Sequence, residues 1–336
     1  MGVGQWALAC ERLHNLPVNP ATPFRLNAAQ LLPLTPRNNV AAARRAAGHL
    51  GAIVVCAAAL WAVLGSRSGI SIRIVFAVPL MLLLGYSLAF LFNALHETAH
   101  QTAFRTRAWN YLLGHLAGFV VLLPYEYYRA FHWDHHRYTQ DPNKDPELAV
   151  PPPATTRALA WYVLGPPVWI GRIRMLLVHG LACRVDEPWV AADKRRLIVL
   201  EARCYLLGYA AIAVVSLAAG SWAALWLWLL PLMLGQWFMR PYLLAEHTGC
   251  ANTPNMLENT RTTYTNAFVH FFAWNMPYHA EHHAYPAVPF HALPRLNALL
   301  ASHIVHSEQG YMASARTVLR HVQAAGAGAE HAVNSG

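Results

Sequence analysis

Residues 74–100 read IVFAVPLMLLLGYSLAFLFNALHETAH. From Ile74 to Leu95 no residue is charged, and the run is long enough to cross a hydrocarbon layer of about 30 Å as a helix. It then passes directly into His96-Glu97-Thr98-Ala99-His100. A membrane-length apolar helix that ends in two histidines one turn apart places metal-binding chemistry at a membrane lip. The rest of the chain repeats that arrangement. A second apolar run, His49 to Gly65, precedes it across a short Ser-Arg-Ser-Gly turn, so the two form a hairpin whose outer ends emerge on one side. A further hairpin is predicted over Tyr205–Gly220 and Trp222–Leu244. Basic residues flank the outer ends, Arg44 and Arg45 before the first hairpin and Lys194, Arg195 and Arg196 before the second, which orients those ends to the cytoplasm.

Composition agrees. Of the 336 residues, 56% are hydrophobic and only 12% are charged, whereas a soluble domain carries about 25% charged residues. Disordered chains, fibres and disulfide-stapled secreted modules are excluded on the same grounds. Five scattered cysteines, none in a Cys-x-x-Cys pair, suggest neither a disulfide framework nor an iron–sulfur cluster. The net charge of +9 is read as cytoplasmic Lys and Arg on a membrane protein, with no nucleic-acid partner. The expected fold class is therefore an all-α integral membrane protein: about four transmembrane helices in two hairpins, with interfacial helices and a cytoplasmic histidine-rich cap. The segments Trp109–Leu123 and Leu159–Leu177, interrupted by Pro166, Pro167, Arg172 and Arg174, are read as the interfacial helices. The domain reading is an N-terminal cytoplasmic segment over 1–47, a membrane domain over 48–310, and a C-terminal helix with a disordered tail over 311–336. Pro17, Pro20, Pro23, Pro33 and Pro36 exclude a long helix in the first forty residues, and no cleaved signal peptide is expected.

Histidine is over-represented, with 19 copies against 16 acidic residues. Three clusters stand out: His96 and His100; His132, His135 and His136; His279, His282 and His283. Spacings of three and four residues put these side chains on one face of a helix. Neutral imidazole binds iron, zinc, copper and nickel. Crowding eight imidazoles without a metal would leave polar groups unpartnered, so a metal centre is the economical reading. His247 follows the second hairpin as His96 follows the first, and is a candidate ninth ligand. His115 and His270, without clustered neighbours, are read as structural. The first cluster also matches H-E-x-x-H, the signature of zinc metalloproteases in which the Glu is general base. One zinc would leave most of the clustered histidines without a task, whereas a two-metal centre uses them all.

With these residues in view, the chain resembles the membrane fatty acid desaturase family, integral-membrane enzymes with three histidine boxes. The resemblance rests on His96/His100, His132/His135/His136 and His279/His282/His283. It extends to the neighbouring Asn93-Ala94-Leu95, Arg137-Tyr138-Thr139 and Asn275-Met276-Pro277-Tyr278, and covers roughly residues 48–300. It implies two iron ions, O2 as oxidant, four spans beneath a cytoplasmic cap, and an oxidoreductase. A desaturase forming a C=C bond in a fatty-acyl or lipid chain is the expected function. Desaturation or hydroxylation of a carotenoid or of a small amino-acid-derived compound, as in rhizobitoxine synthesis, is the alternative. Glu97, Asp134, Glu246, Asn275 and Glu281, the polar residues nearest the boxes, are the candidates to hydrogen-bond and orient the ligands. No His-Pro-Gly-Gly heme motif or cysteine cluster is present. Electrons are thus expected from a separate ferredoxin or cytochrome b5 type of carrier; Arg105, Arg107, Arg129, Arg137, Lys144, Lys194, Arg195 and Arg196 are read either as a basic docking face for it or as topology determinants.

Overall fold

The computed structural model describes residues 24–334. The prolines and other expectations that fall on residues 1–23 lie outside the described residues. Helices of six residues or more are numbered α1 Asn39–Leu64, α2 Ile70–Ala99, α3 Arg107–Val120, α4 Tyr125–Tyr138, α5 Thr156–Leu164, α6 Pro166–Gly180, α7 Arg195–Ala218, α8 Leu230–His247, α9 Ala267–Phe272, α10 His279–Ala284, α11 Leu293–Leu300 and α12 Tyr311–Asn334.

The first hairpin is α1 and α2. Asn38 starts α1 by accepting hydrogen bonds from the Val40 and Ala41 amides. The helix therefore includes Arg44 and Arg45, and the boundary expected at residue 47 falls inside it. Its alanine-rich first turns favour helix well before the uncharged run begins. At 30 residues, α2 is about 45 Å long, more than a bilayer core needs. Its two halves differ accordingly: Ile72, Ile74, Val75, Phe76 and Val78 are exposed, while every residue from Leu88 to Leu91 and from Asn93 to Ala99 is buried. The lower half presents an apolar surface suited to lipid, and the upper half is core.

Among the described residues, three helices are long and apolar enough to cross a membrane: Asn39–Leu64, Ile70–Ala99 and Ala192–Ala218. The segment expected as the fourth span is helical but interrupted, with a π-turn over Leu225–Leu229 leading into α8. Pro231 explains the interruption. It has no N–H, and its ring would clash with the carbonyl four residues back, so the wider turn relieves the chain. Beyond it, α8 and α2 pack with backbones almost touching: a Cβ on Gly235 would lie 2.1 Å from the Gly85 carbonyl oxygen, so only glycine permits the crossing.

The expected interfacial segments are α3, α5 and α6. Gly165, at φ +94°, separates α5 from α6 just before Pro166 and Pro167. The C-terminal carbonyls of α3 are met by side chains from three other elements. Tyr205 and Tyr209 donate to the His115 and Phe119 oxygens, Trp228 Nε1 to Val120, and Arg172 to Val121. A buried helix end needs such partners, because an unmet carbonyl costs about 1–3 kcal/mol.

Two features depart from the expectations, a strand pair in the all-α reading and a helix where a disordered tail is expected. Strands β1 Arg261–Tyr264 and β2 His306–Gln309 form a short parallel pair, with Arg261 beside His306 and Tyr264 beside Gln309. The Thr-Thr-Tyr sequence of β1 suits that conformation. In addition, α12 runs to Asn334, through residues expected from Ala324 onward to be disordered. Alanines 324 and 325 continue the helix where small, polar composition suggested a tail.

Candidate metal centre

The nine expected histidines come from four elements. His96 sits in the last turn of α2 and His100 caps it. Gln101 then takes φ +60°, the left-handed residue that ends the helix. His132, His135 and His136 line one face of α4, His247 is the last residue of α8, and His279, His282 and His283 lie on the six-residue α10. All nine are buried, none more than 6% exposed.

They form two groups. One ring nitrogen each of His96, His100, His132, His136 and His282 lies within 4.8 Å of all the others, and the same holds for His135, His247 and His283. His279 adjoins the second group, its Nε2 3.1 Å from His283 Nε2, with its ring centroid 5.1 Å from that of His247. Within the first, His132 Nε2 is 2.7 Å from His100 Nε2 and 3.1 Å from His136 Nε2. His282 has neither ring nitrogen hydrogen-bonded, and His247 Nε2 is likewise buried without a partner. Convergent lone pairs left unpartnered in a dry interior are costly unless a cation satisfies them together. The residues thus fit a metal centre, and their all-imidazole character suits a transition metal rather than calcium or magnesium.

Electrostatics keep the donors ready. Burial, reinforced by neighbouring imidazoles, holds His100, His132, His136, His279 and His283 well below the ordinary histidine range, and His282 falls to about 3 for the same reason. They are neutral at pH 7, the form that binds metal. His135 differs. Burial opposes its charged form, yet Glu147 and Asp145 outweigh burial and raise it. Asp145 Oδ1 accepts from His135 Nδ1 at 2.9 Å, and Glu147 Oε2 lies 3.2 Å from the same nitrogen, leaving Nε2 directed to the group. Two other histidines of the second group meet neutral oxygens: Thr139 Oγ1 is 3.1 Å from His283 Nδ1, and the Asn259 carbonyl accepts from His247 Nδ1 at 3.2 Å.

Of the five residues expected to orient ligands, only Glu246 approaches one, its Oε2 3.5 Å from His279 Nε2. Glu97 Oε1 accepts instead from Thr102 Oγ1 and the Phe290 amide, Asp134 pairs with Arg137, and Glu281 is bonded to Thr262 and Asn297. Asn275 donates to the Phe290 carbonyl, in a left-handed pair with Trp274 just before the third cluster. Adjacent residues on a helix do not share a face, so a residue next to a ligand points elsewhere. Asp145 and Glu147 were not anticipated; their only signal is the Asp-Pro-Asn-Lys-Asp-Pro turn that follows the second cluster. His115 pairs with Glu201 at 3.0 Å and His270 stacks on Tyr278, both apart from the two groups.

Residues 72–314 match the model of a family described as fatty acid desaturase. The chain is 28% identical over 181 residues to the sn-1 oleoyl-lipid 12-desaturase of Picosynechococcus sp., covering 51% of this chain and 50% of that protein. It is 29% identical over 215 residues to dihydrorhizobitoxine desaturase of Bradyrhizobium elkanii (58% and 59%). It is 28% identical over 227 residues to a human sphingolipid delta(4)-desaturase/C4-monooxygenase (64% and 63%). In each case the match spans less than two thirds of the relative's length.

Proposed function

The chain belongs to the fatty acid desaturase family, and from that premise we propose that it is an O2-dependent membrane di-iron oxidoreductase that introduces a C=C bond into an acyl chain. The observation that carries this reading is the convergence of nine buried histidines into two adjoining groups, His96, His100 and His247 from the ends of long apolar helices and the other six from α4 and α10. His96, His100, His132, His136 and His282 would hold one iron, and His135, His247, His283 and His279 the other. Bound there, the irons supply the redox chemistry for an unactivated C–H bond that acid, base and nucleophilic side chains cannot. The substrate loses two hydrogens while O2 accepts four electrons, two of them from a separate ferredoxin or cytochrome b5 type of carrier. The chain's own part is to keep the imidazoles neutral and fixed: Asp145 retains the proton on His135 Nδ1, and Thr139 and the Asn259 carbonyl bond the Nδ1 atoms of His283 and His247.

The zinc-protease reading of His96-Glu97-Thr98-Ala99-His100 has little support, because Glu97 is engaged by Thr102 and Phe290. The decisive assay supplies purified protein with iron, an electron carrier and candidate lipids, with and without O2. Products lacking two hydrogens are expected only with O2, and Glu97→Gln should retain part of the activity. Products that gain oxygen would make the chain a hydroxylase, and peptide cleavage independent of O2 would sink the oxidase reading.

For topology we take α1, α2, α7 and the Leu225–His247 segment as four spans in two hairpins, with both termini and all three clusters on the cytoplasmic side. Single cysteines introduced at Asn143 and at Ser221 should label from opposite faces of sealed vesicles. Labelling of both from one face would refute the arrangement.

A further inference from the structure

A second polar cluster, outside the metal centre, lies between α8 and the turn joining α5 to α6. Gln236 and Arg240 occupy successive turns of one face of α8, only 1% and 7% exposed. Opposite them, the left-handed turn at Gly165 brings the chain against Gln236. A Cβ placed on Gly165 would be 3.0 Å from Gln236 Cβ and 3.4 Å from Trp169 Nε1. The Arg240 guanidinium lies over the Tyr162 ring at 5.7 Å, and that of Arg172 over the Trp169 ring at 5.5 Å. The two cations are near enough to interact: burial and then the charge of Arg240 bring Arg172 down to about 9. Arg172 is committed to the Val121 carbonyl. Glu147 and Glu246 each approach an imidazole of the metal centre.

Three buried polar atoms of this cluster have no hydrogen-bond partner: Trp169 Nε1, Arg240 Nε and Gln236 Oε1. Two donors, one of them on the Arg240 guanidinium, and one acceptor, in an interior where unmet polar atoms are costly, describe a site completed by a ligand. Arg and indole N–H groups favour a carboxylate, and Gln236 Oε1 is left for an N–H or O–H donor. Seven residues separate Arg240 from His247, about 10 Å along the helix, so a molecule anchored here can reach the metal centre with its other end.

We infer that Arg240, Trp169 and Gln236 form the seat for a carboxylate on the substrate. This rests on the desaturase reading and narrows it to anionic substrates. Two sources share the chemistry: a long-chain fatty acid, or a small α-amino acid whose ammonium group would also meet Gln236.

Equilibrium dialysis of the purified protein against oleate, norleucine and, as a neutral control, oleyl alcohol tests the inference. Saturable binding of oleate or of norleucine is expected for the wild type. Arg240→Met should weaken it about 10- to 100-fold, as for loss of one charge-assisted bond; Arg240→Lys should restore part, and oleyl alcohol binding should not change. Trp169→Phe, which removes one N–H and little volume, should weaken carboxylate binding several-fold. It serves as the decisive variant if Arg240→Met melts early or loses iron. Oleate alone would identify a fatty acid, and norleucine alone an amino acid. Equal carboxylate binding by wild type and the folded variants, or no saturable binding by the wild type, overturns the site. Arg240-dependent binding without any O2-dependent product would leave the site standing and remove the desaturase reading. O2-dependent product with a KM unchanged in Arg240→Met would do the reverse.

Discussion

Replacing His282 by alanine is expected to abolish turnover and to empty one metal position while leaving the protein in the membrane. His282 is fully buried on α10, with its ring centroid 4.7 Å from those of His96 and His100 and 4.9 Å from that of His136. It joins the third cluster to the other two, and neither of its nitrogens has another task. Loss of a residue that merely orients a ligand already costs about 10- to 100-fold in metal affinity or activity, so loss of the ligand itself should exceed about 100-fold. Elemental analysis beside an oxygen-consumption assay measures both effects. His115→Ala is the matched control: the same residue type, 42% exposed at its side chain and paired with Glu201 outside the groups, should keep both irons and full activity. Equal iron and equal activity in the two variants would mean that His282 is no ligand.

What could be read from the amino-acid order follows from which interactions are local. Spacings of three and four residues are a property of a single helix, so His96/His100, His132/His136 and His279/His283 could be paired without a structure. The apolar runs were legible for the same reason, because hydropathy is summed along the chain. The division into two groups was not. It requires α10 to set His282 among the first five and His283 beside His135 and His247, and nothing local encodes that contact. The residues that orient ligands were misjudged for a geometrical reason. Glu97, Asp134 and Glu281 each stand next to a ligand in sequence, and a rotation of about 100° per residue turns them onto other faces. Glu246 lies instead near a histidine of a different element, its Oε2 3.5 Å from His279 Nε2. The fourth apolar segment was legible as apolar, but its π-turn depends on how Pro231 is accommodated where α8 crosses α2 at Gly85 and Gly235.

Asp145→Ala should selectively weaken the second group. The Asp145 side chain is fully buried, and its two oxygens serve three donors: Oδ1 accepts from His135 Nδ1 at 2.9 Å and from the Glu147 amide at 2.9 Å, and Oδ2 accepts from the Gln140 amide at 2.8 Å. Burial works against its charge, yet the bond and charge of His135, followed by the two amides, hold the carboxylate below its ordinary range. It therefore stays ionised at neutral pH and keeps the proton on Nδ1, so that His135 presents Nε2. Alanine removes both the charge and the clamp on the turn after α4, where Gln140 sits at φ +63°. Metal affinity at this position should fall about 10- to 100-fold, and chelator competition should release one iron from the variant well before the other. Asp145→Asn separates the two roles. Its single amide oxygen can still accept from one of the two backbone N–H groups, so thermal stability should recover in part. The lost charge should leave iron affinity closer to that of the alanine variant. If Asn restores both properties equally, Asp145 only shapes the turn, and the orientation of His135 falls to Glu147, whose Oε2 lies 3.2 Å from the same nitrogen.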